Sequence, residues 1–133
     1  MSNREARHSD KPYDIRERLA IFAERVVRAA QKAHAKSPIA AALCANLVRA
    51  AVSAASNAEE ADDASSTRDF LAKERIALRE TKETRLRLRV LHGGGYLHAA
   101  DVELVQEAIE LTRILATIIR NREHGSRGGE RET

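Results

Sequence analysis

From Ile15 onward, apolar residues recur every three or four positions. Ile15, Leu19, Phe22, Val26, Ala30 and Ala33 fall on one face of a helix expected over residues 13–36, with Ile21 and Val27 off that seam. Ser37-Pro38 marks a restart, because serine caps orphan backbone donors and proline suits the first helical position. A second helix is expected over 38–61. It is rich in alanine (Ala40, Ala41, Ala42, Ala45, Ala50, Ala51, Ala54, Ala55), with Leu43, Leu47 and Val48 as its larger knobs.

Ser66-Thr67-Arg68-Asp69 resembles a capping box and opens a third helix over 66–92. Its main seam is Phe70, Ala77, Thr81, Thr84, Leu88 and Leu91, and a second row holds Leu71, Leu78 and Leu86. Gly93-Gly94-Gly95 stops it, since glycine adopts the left-handed conformation at a helix end without penalty. A fourth helix is expected over 99–122. Val102, Val105, Ile109, Thr112, Ala116 and Ile119 form one stripe on it; Leu104, Ala108, Leu111, Leu115 and Ile118 form another. Residues 1–11 and 124–133, polar or rich in glycine and charge, are expected to be disordered.

No strand-like alternation competes, so the fold class is all-α. Helices of similar length with short connections imply an antiparallel up-down four-helix bundle over 12–123. The double stripe on the fourth helix admits two readings. Either its second row is an oligomer interface, as an apolar row left in water forms a patch monomers rarely keep, or the core face is simply wide.

Composition narrows function by exclusion. The chain has 133 residues, 43% hydrophobic and 32% charged, with 3% aromatic residues and no tryptophan, which suits a core of tightly packed helices. Its formal charge of +3 comes from 23 basic and 20 acidic residues, a mild bias that does not by itself mark a nucleic-acid binder. A single cysteine, Cys44, excludes an internal disulfide. The first residues lack an apolar run of signal-peptide type, and no uninterrupted apolar stretch reaches transmembrane length. A cytoplasmic protein without membrane contact is the expectation.

No motif carries catalysis. His92-Gly93-Gly94-Gly95-Tyr96 lacks the Gly-Lys-Ser/Thr ending and preceding strand of a phosphate loop. His92 and His98 flank it without a third ligand, so no metal and no cofactor is expected. Cys44, on an alanine-rich helix, reads as a buried structural thiol. Acid collects at 57–63, where the helix dipole prefers cations. Glu59 and Glu60 there are candidates to pair with the third helix or with another subunit.

The third helix is the basic element. Arg75, Arg79 and Lys82 share one face, and Arg85 and Arg89 another; such faces contact phosphates or remain solvated and laced with ion pairs, as at Glu83 and Arg87. No aromatic is interleaved, so base stacking is not offered.

The stretch from Arg49 to Leu91 carries a resemblance. It reads Arg49-Ala-Ala-Val-Ser53, Asn57-Ala-Glu59-Glu60, Ser66-Thr-Arg-Asp69-Phe70, and then Ile76-Ala-Leu-Arg-Glu80-Thr-Lys-Glu83-Thr84-Arg85, with Gly95-Tyr96-Leu97 beyond. This is similar to the four-helix-bundle family named for proteins encoded in 23S rRNA intervening sequences. The resemblance implies an up-down bundle, a homopentameric ring and no enzymatic activity. It also brings in the accessory variability protein of diversity-generating retroelements, a basic pentamer that binds nucleic acid and a reverse transcriptase. RNA or DNA, a protein such as a reverse transcriptase, and further copies of the chain are thus the expected partners. Arg49, Ser53, Asn57, Glu59, Glu60 and Glu83 are expected as structural or interface polar residues.

Overall fold

The computed structural model describes the backbone of residues 14–132 and the side chains of residues 14–125. The arm expected to be disordered at 1–11 lies outside the described residues. Four α-helices follow in chain order: α1 (Ile15–His34), α2 (Pro38–Asp62), α3 (Thr67–Gly93) and α4 (Glu103–Glu132). There is no strand among the described residues, and the fold is all-α.

Local chemistry sets the boundaries. The Asp14 carboxylate accepts from the backbone N–H groups of Arg16 and Glu17 at 3.2 and 3.4 Å, so α1 begins at Ile15. Ser37 caps α2 by accepting from Ala40 N at 3.1 Å, with Pro38 behind it, as expected. Ser66 accepts from Asp69 N at 3.1 Å and opens α3. The glycine run closes α3: Gly95 takes φ +83, Tyr96 N donates to Leu91 O at 2.9 Å, and Gly95 N donates to His92 O at 3.0 Å. That pair of bonds is a Schellman cap.

Two boundaries differ from expectation. Residues 99–101 form a 3₁₀ turn rather than the start of the last helix, because His98 accepts from Ala100 N through Nδ1 at 3.0 Å and tightens the chain there. The backbone of α4 then continues to Glu132, through the stretch expected as a tail from 124. Glycine weakens a helix by about 1 kcal/mol per residue but does not forbid it, and no proline interrupts the segment.

Each helix packs on its sequence neighbours, α2 against α3 most extensively, and α1 closes on α4 through a thinner seam. The expected faces of α1 are inside: Leu19, Phe22 and Val26 are fully buried. Each such side chain contributes roughly 1.5–3 kcal/mol through burial. From α2 the core receives Ala40, Ala50, Ala51 and Ala54 beside Leu47. Their short side chains let α1 and α3 approach closely. On α3, Ala77, Thr81, Thr84, Leu88 and Leu91 are buried. The two threonine hydroxyls donate to Ala77 O and Glu80 O at 2.7 and 2.8 Å, which offsets their desolvation.

On α4 the buried seam is Leu104, Ala108, Leu111 and Leu115. Val105, Ile109, Ile114 and Ile118 are half-buried at its flanks. Among the described residues of α4 the second stripe is thus half-buried beside the core seam, and Ile114 and Ile118 line a surface depression with Arg113 and Thr117. The large apolar side chains that are exposed sit elsewhere: Ile39 and Val52 on α2, Leu86 and Val90 on α3. Leu86, expected in a row with Leu71 and Leu78, points out.

α2 is long and apolar enough to cross a membrane by length and composition, which counting uninterrupted apolar runs did not reveal. Its inner face is part of the core just described, and Arg49 in its middle is ion-paired to α3.

Candidate nucleic-acid interface

The polar residues of α2 and α3 separate into those satisfied within the chain and those that are not. Arg49 bridges two acids of α3. Its guanidinium donates to Glu80 Oε2 at 2.8 Å and to Glu83. Glu80 is almost buried, and its hydrogen bond and charge, followed by Glu83, hold Arg49 more firmly protonated. Glu83 also faces Arg87 at 3.8 Å, the expected pair one turn on.

Glu60 pairs with Lys73 of α3 at 3.2 Å, and Asp62 with Arg16 of α1 at 2.8 Å. The acid at the end of α2 is thus partly answered by neighbouring helices. Asn57 Nδ2 donates to Ser53 O at 2.9 Å and to Ser53 Oγ at 3.3 Å, a bond within α2. Glu59 and Asp63 are exposed, with no ion pair among the described residues.

The cations of α3 divide in the same way. Arg75 is paired with Glu123 of α4 at 2.9 Å, and Arg79, 72% exposed, has Nε 3.8 Å from Glu80. Lys82, Arg85 and Arg89 have no ion pair among the described residues. Arg85 and Arg89 line a groove of about 280 Å³ with Leu86 of α3 and Val105 and Ile109 of α4. Arg79 and Lys82 are exposed, Arg75 reaches α4 through Glu123, and Arg85 and Arg89 line the groove toward α4. The Phe70 ring is covered by Arg122, 4.3 Å from its centroid, and so is not offered for stacking.

Other candidates have structural duties. The Nδ1 atom of His98 is engaged in its turn. The Cys44 thiol donates to Ala30 O at 3.5 Å, and burial pushes its pKa up, away from thiolate chemistry. No group of three His, Cys, Asp or Glu side chains suited to a metal occurs among the described residues.

One residue escaped the sequence reading. Glu74 of α3 is 2% exposed, and its pKa is pushed up to about 7, first by burial and then by the charge of Asp62. A signal existed, since Glu74 lies three residues after Leu71 and three before Ala77, on the buried face of α3.

Comparison with known proteins gives two findings. A family model described as 23S rRNA-intervening sequence protein matches residues 12–117. Among solved structures, the chain is similar to a protein of unknown function from the S23 ribosomal protein family of Bacteroides thetaiotaomicron, at 26% identity and a TM-score of 0.71. That match covers 79% of this chain and 97% of the other. A search of curated proteins yields no match. With most of its length matched by the family model, this chain belongs to the 23S rRNA-intervening sequence protein family.

Proposed function

We propose that the protein is a non-catalytic, cytoplasmic RNA-binding protein, an antiparallel up-down four-helix bundle that works as a homo-oligomeric ring. The bundle topology is supported by the cross-helix pairs. Arg16 at the start of α1 meets Asp62 at the end of α2, Arg49 and Glu60 of α2 meet Glu80 and Lys73 of α3, and Arg75 of α3 meets Glu123 of α4. The Arg16, Glu60 and Arg75 pairs each join the early part of one helix to the late part of its neighbour, and the Arg49–Glu80 pair joins the middles of α2 and α3. Five subunits is the number the family resemblance implies.

The observation that carries RNA contact is the set Lys82, Arg85 and Arg89, cations on one helix left without an intrachain carboxylate among the described residues. With Arg79 beside them they present a strip for phosphates rather than for bases, so binding should track backbone charge more than sequence. The test is retention of single-stranded RNA across a salt series. Four phosphate contacts give a log–log slope near −3 and about a 50-fold weakening between 50 and 200 mM salt. A variant with Arg79, Lys82, Arg85 and Arg89 changed to Glu should lose binding. Undiminished binding by that variant overturns the site, and no binding by the unmodified protein at low salt overturns the function.

A second reading is a protein-interaction module, for example an accessory subunit of a reverse transcriptase. It is favoured by Leu86 and Val90, exposed apolar residues within the cationic helix.

A further inference from the structure

We propose that the ridge formed by Leu86 and Val90 on α3 seats in the groove between α1 and α2 of a second copy of the chain, in a head-to-tail contact. The inference rests on the self-association proposed above and adds where it occurs.

Leu86 and Val90 are 56% and 47% exposed and one helical turn apart, so they project side by side from α3. The groove, about 410 Å³, is lined mainly by small or apolar residues: Val27 and Ala30 of α1, and Ala41, Cys44, Ala45 and Val48 of α2. α2 is apolar along most of its length, yet only about a third of its most apolar stretch is buried within the chain. Its outer side is therefore an apolar surface with shallow relief, a shape that accepts larger knobs from outside.

The heights of the two surfaces match. Arg49 pairs with Glu80 and Glu83, and Glu60 with Lys73, which fixes the register of α2 against α3. On that register Ala45 lies at the height of Leu86, and Ala41 at the height of Val90. A rotation about an axis running along the helices therefore brings the ridge of one copy to the groove of the next without sliding. The same rotation sets Asp63 at about the height of Arg68, and Glu59 at about the height of Arg75, which already pairs with Glu123 in its own chain. Glu59, Asp63 and Arg68 are exposed and have no ion pair among the described residues. Apolar surface thus meets apolar surface at one end of the seam, and acid meets base at the other.

Ridge and groove are different parts of one chain, so the contact is heterologous and propagates until a ring closes. Leu86 also lines the groove of Arg85 and Arg89 toward α4, so these two cations border the seam between copies.

The test uses the full-length protein and light scattering after size exclusion at tens of micromolar, with far-UV circular dichroism to verify helicity. Leu86→Arg blocks the ridge and Ala45→Arg blocks the groove; both positions are exposed, and Val90→Glu repeats the ridge test. Each variant alone is expected to elute at the mass of one chain. Mixed in equal amounts, Leu86→Arg and Ala45→Arg are expected to form a two-chain species, since one retains an intact groove and the other an intact ridge. An unmodified protein that is a single chain at every concentration overturns self-association and this contact together. An oligomer whose mass the variants leave unchanged overturns the contact alone. Single-chain variants that form no mixed pair overturn the ridge-to-groove assignment.

Discussion

Replacing Glu74 by Gln should make the protein more stable at alkaline pH and leave it unchanged in acid. The Glu74 carboxyl is 2% exposed and is raised from an ordinary 4.5 to about 7 in the folded chain. Below pH 4.5 both folded and unfolded chains carry it protonated, so no penalty exists. Between 4.5 and about 7 the unfolded chain releases the proton while the folded chain keeps it, and stability falls as pH rises. Above 7 the folded chain holds a buried carboxylate and the loss is complete. Two and a half pH units at ~1.4 kcal/mol each amount to roughly 3 kcal/mol. Glutamine has nearly the same shape and stays neutral, so it removes this slope. Urea unfolding of both proteins, at one protein concentration and at pH 4, 6, 7 and 8, reads the difference directly. The variant should match the unmodified protein at pH 4 and exceed it by roughly 3 kcal/mol at pH 8. A difference that does not change across this range would refute the claim that Glu74 is buried as an acid.

Gly95→Ala should lower the stability by about 1–2 kcal/mol, because Gly95 sits at φ +83, whereas Gly93→Ala should raise it by about 0.5–1 kcal/mol, because Gly93 is helical with open space at its Cβ position; thermal melts of the two variants moving in the same direction would contradict the cap assignment. Arg49→Ala should lower the urea midpoint more than Glu83→Ala does, because it leaves the nearly buried Glu80 without its closest cation, whereas Glu83 is a more exposed carboxylate. Equal shifts of the urea midpoint would move the weight of the clamp from Glu80 to the solvent-facing pair.

Helix ends were legible wherever the signal is local. Ser37, Ser66 and the glycine run act through bonds within a few residues, so their chemistry reads directly from the chain. The start of α4 was not legible, because it depends on which His98 nitrogen accepts a bond. The fate of the second stripe on α4 was not legible either, since an apolar row does not announce which neighbour covers it. Leu86 was misplaced through periodicity. Eight residues advance a helix about 80° beyond two full turns, so Leu86 leaves the row of Leu78 and faces solvent. Spacing along α3 does not show that Arg75 is claimed by Glu123, a partner distant in sequence.

The polar residues that carry the family resemblance acquire a physical reason in α2. Its inner face is alanine, which gives close approach to α1 and α3 but little apolar area per residue. A helix packed that way can slide along its neighbours, because short side chains interlock weakly. Arg49 bound to Glu80 and Glu83, and Glu60 bound to Lys73, oppose such sliding by fixing α2 against α3 at two heights. The same register places Ala41 and Ala45 opposite Val90 and Leu86 for a neighbouring copy. An Arg49 variant should therefore disturb assembly as well as stability, whereas the bond of Asn57 to Ser53 lies within α2 and fixes no register. Asn57→Ala should leave subunit mass unchanged in a light-scattering run where Arg49→Ala reduces it. Equal behaviour of the two variants would mean that the clamp does not set the height of the ridge.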